Sequence, residues 1–153
     1  MKIMSKWYLL SLLAILVFTN CSKEDQAEID RAIIQQYIED NNLDGMIEDP
    51  SGLFYKIRVE GTGDHPTLSN KVKVAYKGYL TNGLVFDETE PGSPINFPLT
   101  NLISGWQIGI QKMKKGGEST MIIPSQLAYG SNPPPGIPAN AVLVFEIRLV
   151  DFT

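Results

Sequence analysis

One stretch of this chain, Leu102–Met113 (LISGWQIGIQKM), has helical spacing, and it lies in a half of the sequence that otherwise alternates apolar and polar residues like strands. Trp106, Ile110 and Met113 fall at i, i+4 and i+7, which gives a short helix one apolar side. Antiparallel strands with one such helix make a domain in which the sheet curls around the helix. The expected fold is therefore α+β, a curved antiparallel sheet of five to six strands wrapped around one short helix and preceded by an N-terminal helix. What Trp106 faces then becomes the question of function.

The strands are delimited by turn residues. Leu53–Gly61 alternates after Pro50-Ser51-Gly52, and 61–70 is a loop. Lys71–Leu80 (KVKVAYKGYL) alternates cleanly into Asn82-Gly83, a strong hairpin signal, and returns through LVFDE to the pair Phe86-Asp87. Ile95–Leu99 contains a proline and reads as an edge strand. Gly116-Gly117 turns the chain into the strand Glu118–Pro124. A proline- and glycine-rich loop, 125–140, precedes the long strand Ala141–Phe152. In that strand Leu143, Phe145, Ile147 and Leu149 share one face, and Val142, Val144, Glu146 and Arg148 share the other.

The amino-terminal part differs. Lys2 and Lys6 precede Trp7–Phe18, apolar but for Ser11, and Cys21, the only cysteine, follows closely. That is a signal-peptide pattern. A helix over the run spans roughly 18 Å, against about 30 Å of membrane hydrocarbon. A lone cysteine in an exported protein can be a free thiol, half of an intermolecular disulfide or a lipid attachment point. VFTNC resembles a bacterial lipoprotein signal, departing from it at Asn20, and the resemblance implies lipidation of Cys21; an uncleaved anchor is the alternative. The expected organisation is a signal peptide over 1–20, a tether and helix over 21–50, and a folded domain over 51–153. Without the first 20 residues the chain has 11 basic and 17 acidic residues, a net charge of −6. Such an acidic chain is a poor nucleic-acid binder. Asp25–Asn42 has helical periodicity, with Ile29, Ile33 and Tyr37 on one stripe and Ile34 and Ile38 beside it. That helix either packs on its own domain or serves as a dimerisation or spacer helix, so the oligomeric state stays open.

Most familiar chemistry lacks its residues. His65 is the only histidine and lies in a loop, metal-ligand spacing is absent, and no phosphate-binding glycine motif joins a strand to a helix. No cofactor is expected. What stands out is aromatic residues at element ends: Tyr76, Phe86, Trp106, Tyr129 and Phe145, with Asp87 among them. The segments YKGYLTNGLVFD (76–87), ISGWQIGIQKMKKGGE (103–118), AYG (128–130) and PGIPANAVLVFEIRL (135–149) resemble the FKBP-type peptidyl-prolyl isomerases, in the family's order and spacing over about residues 53–153.

The resemblance implies a hydrophobic pocket for a proline ring between sheet and helix. Its residues here would be Tyr76, Phe86, Asp87 and Tyr129 as the catalytic set, with Ile95, Leu102, Ile103, Trp106, Ile137 and Phe145 binding substrate. Trp106 would form the floor, and the Ile103 N–H and Tyr129 hydroxyl would hold substrate carbonyls. The implied partners are proline-containing polypeptides, the membrane through lipidated Cys21, and macrolide inhibitors. Two departures bear on macrolide affinity and substrate preference: 88–94 (ETEPGSP) lacks the arginine of some members, and Pro134 stands where others carry histidine. The implied function is isomerisation during folding of exported proteins, in the envelope of a Gram-negative-type bacterium and at the outer membrane. The alternative is an FKBP-fold chaperone or binding module of a gliding-type apparatus, because Ser22–Asp25 resembles the export tag of surface lipoproteins in Bacteroidetes-like bacteria.

Overall fold

The computed structural model describes residues 23–153; the leader and Cys21 lie outside the described residues. Helix α1 (Lys23–Asp40) comes first, with Glu24 and Asp25 in its first turn, where carboxylates suit the helix dipole. The strands are β1 (Ile47–Glu48), β2 (Phe54–Val59), β3 (Lys71–Leu80), β4 (Val85–Glu88), β5 (Ile95–Pro98), β6 (Glu118–Ile123) and β7 (Leu143–Phe152). Helix α2 (Ser104–Ile110) lies between β5 and β6. All pairings are antiparallel, in the order β1-β2-β6-β7-β3-β4, and β5 shares the outer side of β3 with β4. The sheet has seven strands, because the two-residue β1 adds to the expected five or six.

Alternation in the strands sends side chains into two apolar layers. One face collects Val72, Val74, Met121, Ile123, Leu143, Phe145, Ile147 and Leu149 around Trp106, Ile110 and Met113. Helix α2 sits close because Gly105 and Gly109 face the sheet: a Cβ on Gly105 would stand 2.5 Å from Ile123, and one on Gly109 would collide with Met121. The helix is shorter than its apolar spacing suggests. Residues 99–101 form a 3-10 turn before it, and Gln111 caps its end.

The other face carries Phe54, Ile122, Val142 and Val144, and α1 covers them with Ile34, Tyr37 and Ile38. The N-terminal helix thus packs on its own domain. Its buried side differs from the expected stripe: Ile29 and Ile33 are exposed, while Asp30 and Ile34 are fully buried. Arg31 pairs with Glu48 at 2.8 Å, fastening α1 to β1.

Candidate active site

Eight of the ten pocket residues inferred from the sequence line one cavity of about 240 Å³ between α2 and the sheet: Tyr76, Phe86, Asp87, Leu102, Ile103, Trp106, Tyr129 and Phe145. Phe97 and Asn101 complete the lining. The rings brace one another edge to face. Trp106 meets Tyr76 at 5.0 Å and 84° and Phe145 at 5.2 Å and 87°, and Phe86 meets Phe145 at 5.6 Å and 86°. Each such pair is worth about 0.5–1.5 kcal/mol beyond its buried area. Gly78 makes room for two of them, since a Cβ there would stand 2.6 Å from the Phe145 ring and 2.8 Å from Phe86. Trp106 is buried, and its indole N–H has no hydrogen-bond partner among the described residues.

The polar side of the cavity is built by the β3–β4 pair. The Tyr76 hydroxyl donates to Asp87 Oδ2 at 2.6 Å. Thr89 fixes the strand below it: its hydroxyl accepts from Tyr76 N–H at 3.1 Å, and its own N–H donates to the Tyr76 carbonyl at 3.0 Å. Burial, then the Asp87 bond and charge, raise the Tyr76 phenol above its ordinary pKa. Tyr129 is raised as well, by burial first and the Asp87 charge second. Both phenols therefore keep their protons well beyond neutral pH and remain donors.

Opposite them, the backbone offers an open donor. The Ile103 carbonyl accepts from Trp106 and Gln107 N–H, while no backbone carbonyl among the described residues takes the Ile103 N–H. Gln107 holds this segment in place, its side-chain amide donating to the carbonyls of Leu102 at 2.7 Å and Thr100 at 3.2 Å. The arrangement is a dry aromatic bowl with hydrogen-bond donors on its rim. Rings around the floor and donors at the mouth suit the cavity to hold a ring and grip carbonyl oxygens.

Two inferred residues stand apart from the cavity. Ile95 is the first residue of the edge strand β5, opposite Val74, and is 43% exposed. Phe97, two positions along on the same strand face, is the aromatic that lines the cavity. Ile137 packs against the main apolar layer from the loop after Tyr129, in a turn closed by its N–H donating to the Pro134 carbonyl. Alternation within INFPL was the signal for Phe97. Asn101 had none.

With this geometry in place, comparisons with known proteins agree on one family. Residues 63–150 match the family model described as FKBP-type peptidyl-prolyl cis-trans isomerase. The chain is 46% identical over 111 residues to a probable FKBP-type peptidyl-prolyl cis-trans isomerase FkpA of Neisseria meningitidis serogroup B, covering 70% of this chain and 40% of that protein. It is 42% identical over 108 residues to FkpA of Escherichia coli K12, with the same coverage. The chain thus spans less than half the length of these curated relatives. Among solved structures it resembles Escherichia coli FkpA, with a TM-score of 0.74 and 36% identity over 85% of this chain and 62% of that one. A peptidyl-prolyl cis-trans isomerase of Pseudomonas syringae pv. tomato also gives 0.74, at 30% identity over 88% of this chain and 98% of that one.

Proposed function

The chain belongs to the FKBP-type peptidyl-prolyl cis-trans isomerase family, and on that premise we propose that its cavity isomerises X-Pro bonds in polypeptide substrates. The observation that carries the proposal is the aromatic cavity itself, with the Tyr76–Asp87 pair, the Tyr129 hydroxyl and the free Ile103 N–H around its mouth.

Rotation about a peptide bond faces a barrier of about 18–20 kcal/mol from amide resonance, and no covalent bond has to be made or broken. Trp106 is the floor on which the proline ring rests, with Phe86, Phe97 and Phe145 as walls. As the amide twists it loses resonance and polarity, so an apolar enclosure favours the twisted form over either planar isomer. Acceleration comes from that difference in binding. The Ile103 N–H and the Tyr129 hydroxyl hold the flanking carbonyls. Asp87, held by Tyr76, orients the rim and transfers no proton.

A protease-coupled proline-peptide assay on the full chain tests this. The expected outcome is measurable acceleration that drops about tenfold or more in Phe86→Ala and Tyr129→Phe, since the first removes a wall of the proline pocket and the second a bond to a flanking carbonyl. An uncatalysed rate at micromolar protein would instead favour the family fold used as a binding module or chaperone.

We propose further that the domain works outside the cytoplasm on exported proteins, anchored by lipid on Cys21. The support is the sequence: two lysines, the apolar run Trp7–Phe18 and a single cysteine just after it. In that arrangement residues 1–20 are removed, 21–50 carry the tether and α1, and 51–153 form the isomerase domain. Fatty-acid labelling of cells lost on Cys21→Ala is the expected result, and label retained by the variant would remove the anchor. Macrolide binding in the same cavity belongs to this proposal.

A further inference from the structure

Helix α1 lies against the face of the sheet away from the cavity, yet one of its residues connects to the cavity's rim. Asp30 is fully buried, and its Oδ2 accepts from both Ser125 N–H at 2.7 Å and Ser125 Oγ at 2.6 Å. Its other oxygen accepts from Gln26 at 2.7 Å. Taking a carboxylate out of water is costly unless its oxygens are fully hydrogen-bonded, and an apolar contact of similar volume would often be more stabilising. What this arrangement supplies in exchange is a fixed position for Ser125.

Ser125 stands just beyond the end of β6. It opens a 3-10 turn, 125–127, preceded by Pro124, which gives no side-chain cap. Asp30, 95 residues earlier in the chain, is the cap. The Ser125 carbonyl in turn accepts from Ala128 N–H at 3.0 Å and Gly130 N–H at 2.9 Å, so it holds the residues on both sides of Tyr129. The Gly130 carbonyl then takes Asn140 N–H at 2.8 Å, closing the base of the loop. Tyr129 itself is 39% exposed, and its carbonyl receives a long bond, 3.4 Å from Asn132 N–H.

We propose that Asp30 is a positioning residue for the Tyr129 wall of the cavity, acting through Ser125. Helix α1, outside the residues matched by the family model, is then part of the isomerase's working unit. The inference deepens the function proposed above, since it takes Tyr129 as a substrate-holding group.

Two measurements on the full chain test it. The first is amide hydrogen exchange. In Asp30→Ala the amides of Ala128 and Gly130 should exchange about tenfold faster, while those of the Leu80–Leu84 hairpin stay unchanged. The second is turnover of a proline peptide. Asp30→Ala should lower kcat/KM about tenfold, the effect of losing the two hydrogen bonds that hold Ser125. The Asp30→Ala/Tyr129→Phe double variant should then be no slower than Tyr129→Phe alone, because both changes act on one hydroxyl. Asp30→Asn keeps an acceptor for Ser125 and should restore both readouts to within about twofold. If Asp30→Ala does not fold, Ser125→Ala, which keeps the N–H bond and loses the hydroxyl bond, should shift both readouts in the same direction by less. Losses that multiply in the double variant, or unchanged exchange at Ala128 and Gly130, would overturn the proposal. A wild-type chain that does not accelerate isomerisation would remove the enzyme proposal, and the exchange measurement would still decide for or against the coupling.

Discussion

The two faces of the sheet are built from the same strands and end differently. On the side of α1, Phe54, Ile122, Val142 and Val144 close against Ile34, and the space left is a cleft of about 260 Å³ at the layer's edge, between α1 and residues 48–52 and 124–127, with no aromatic ring in its lining. On the side of α2, the aliphatic residues Val72, Val74 and Leu149 pack in the same way, but the rings of Tyr76, Phe86, Trp106 and Phe145 surround an open cavity. Branched aliphatic side chains interdigitate and leave little space. On the other face four rings held edge to face line a bowl instead. The difference teaches that the site is a packing decision made by residue type along otherwise equivalent strands.

The comparison can be broken from either side. Phe145→Ala should cost about 3–5 kcal/mol of stability and Ile34→Ala about 2–5 kcal/mol, as large-to-small changes in buried layers do. Only the first should also abolish turnover. Denaturant unfolding and kcat/KM measured together check this, and equal loss of activity in both variants would show that the α1 face reaches the cavity through more than Asp30. Gly78→Ala comes next. It pushes a methyl group against Phe145 and Phe86, so about 1–3 kcal/mol of destabilisation is expected together with a shift in aromatic near-ultraviolet dichroism. An unchanged spectrum would mean the rings have slack.

A smaller effect concerns the support behind α2. Lys112 pairs with Asp49 at 2.7 Å and lies over the Tyr55 ring. The Lys112 bond, followed by two from Ser51, holds the Asp49 carboxyl down at about 2. A carboxylate depressed on folding stabilises the native state above its ordinary value and loses that contribution as pH falls. Asp49→Asn should therefore cost about 1 kcal/mol at neutral pH, a modest figure because the pair is partly exposed. The gap from wild type should close as pH drops from 3.8 toward about 2. The smallest effect sharpens the cavity's outline: Phe97→Ala should raise KM several-fold, about 1 kcal/mol of lost contact, and Ile95→Ala should leave it unchanged.

Much of this was legible because alternation is a strong signal. The run Ala141–Phe152 placed Leu143, Phe145, Ile147 and Leu149 on the layer they occupy, and the i, i+4, i+7 spacing placed Trp106, Ile110 and Met113 in that same layer. What escaped was set by distant contacts. Asp30 is polar on the buried side of α1, so periodicity shifted the apparent stripe toward Ile29 and Ile33; its partner Ser125 lies 95 residues away, where no local pattern can announce it. Strand β1 is two residues long, too short to alternate. Ile95 and Phe97 share a strand face, and which of them meets the cavity depends on where the edge strand lies along β3.

The edges of the sheet have a consequence of their own. One border is a two-residue strand; the other is divided between two four-residue strands lying end to end along β3, one of them finishing at Pro98. Neither offers a long row of unpaired backbone groups to an incoming extended chain. A protein proposed to handle unfolded polypeptides can thus meet them repeatedly through its bowl of rings without serving as a template on which they stack, and each encounter can end in release.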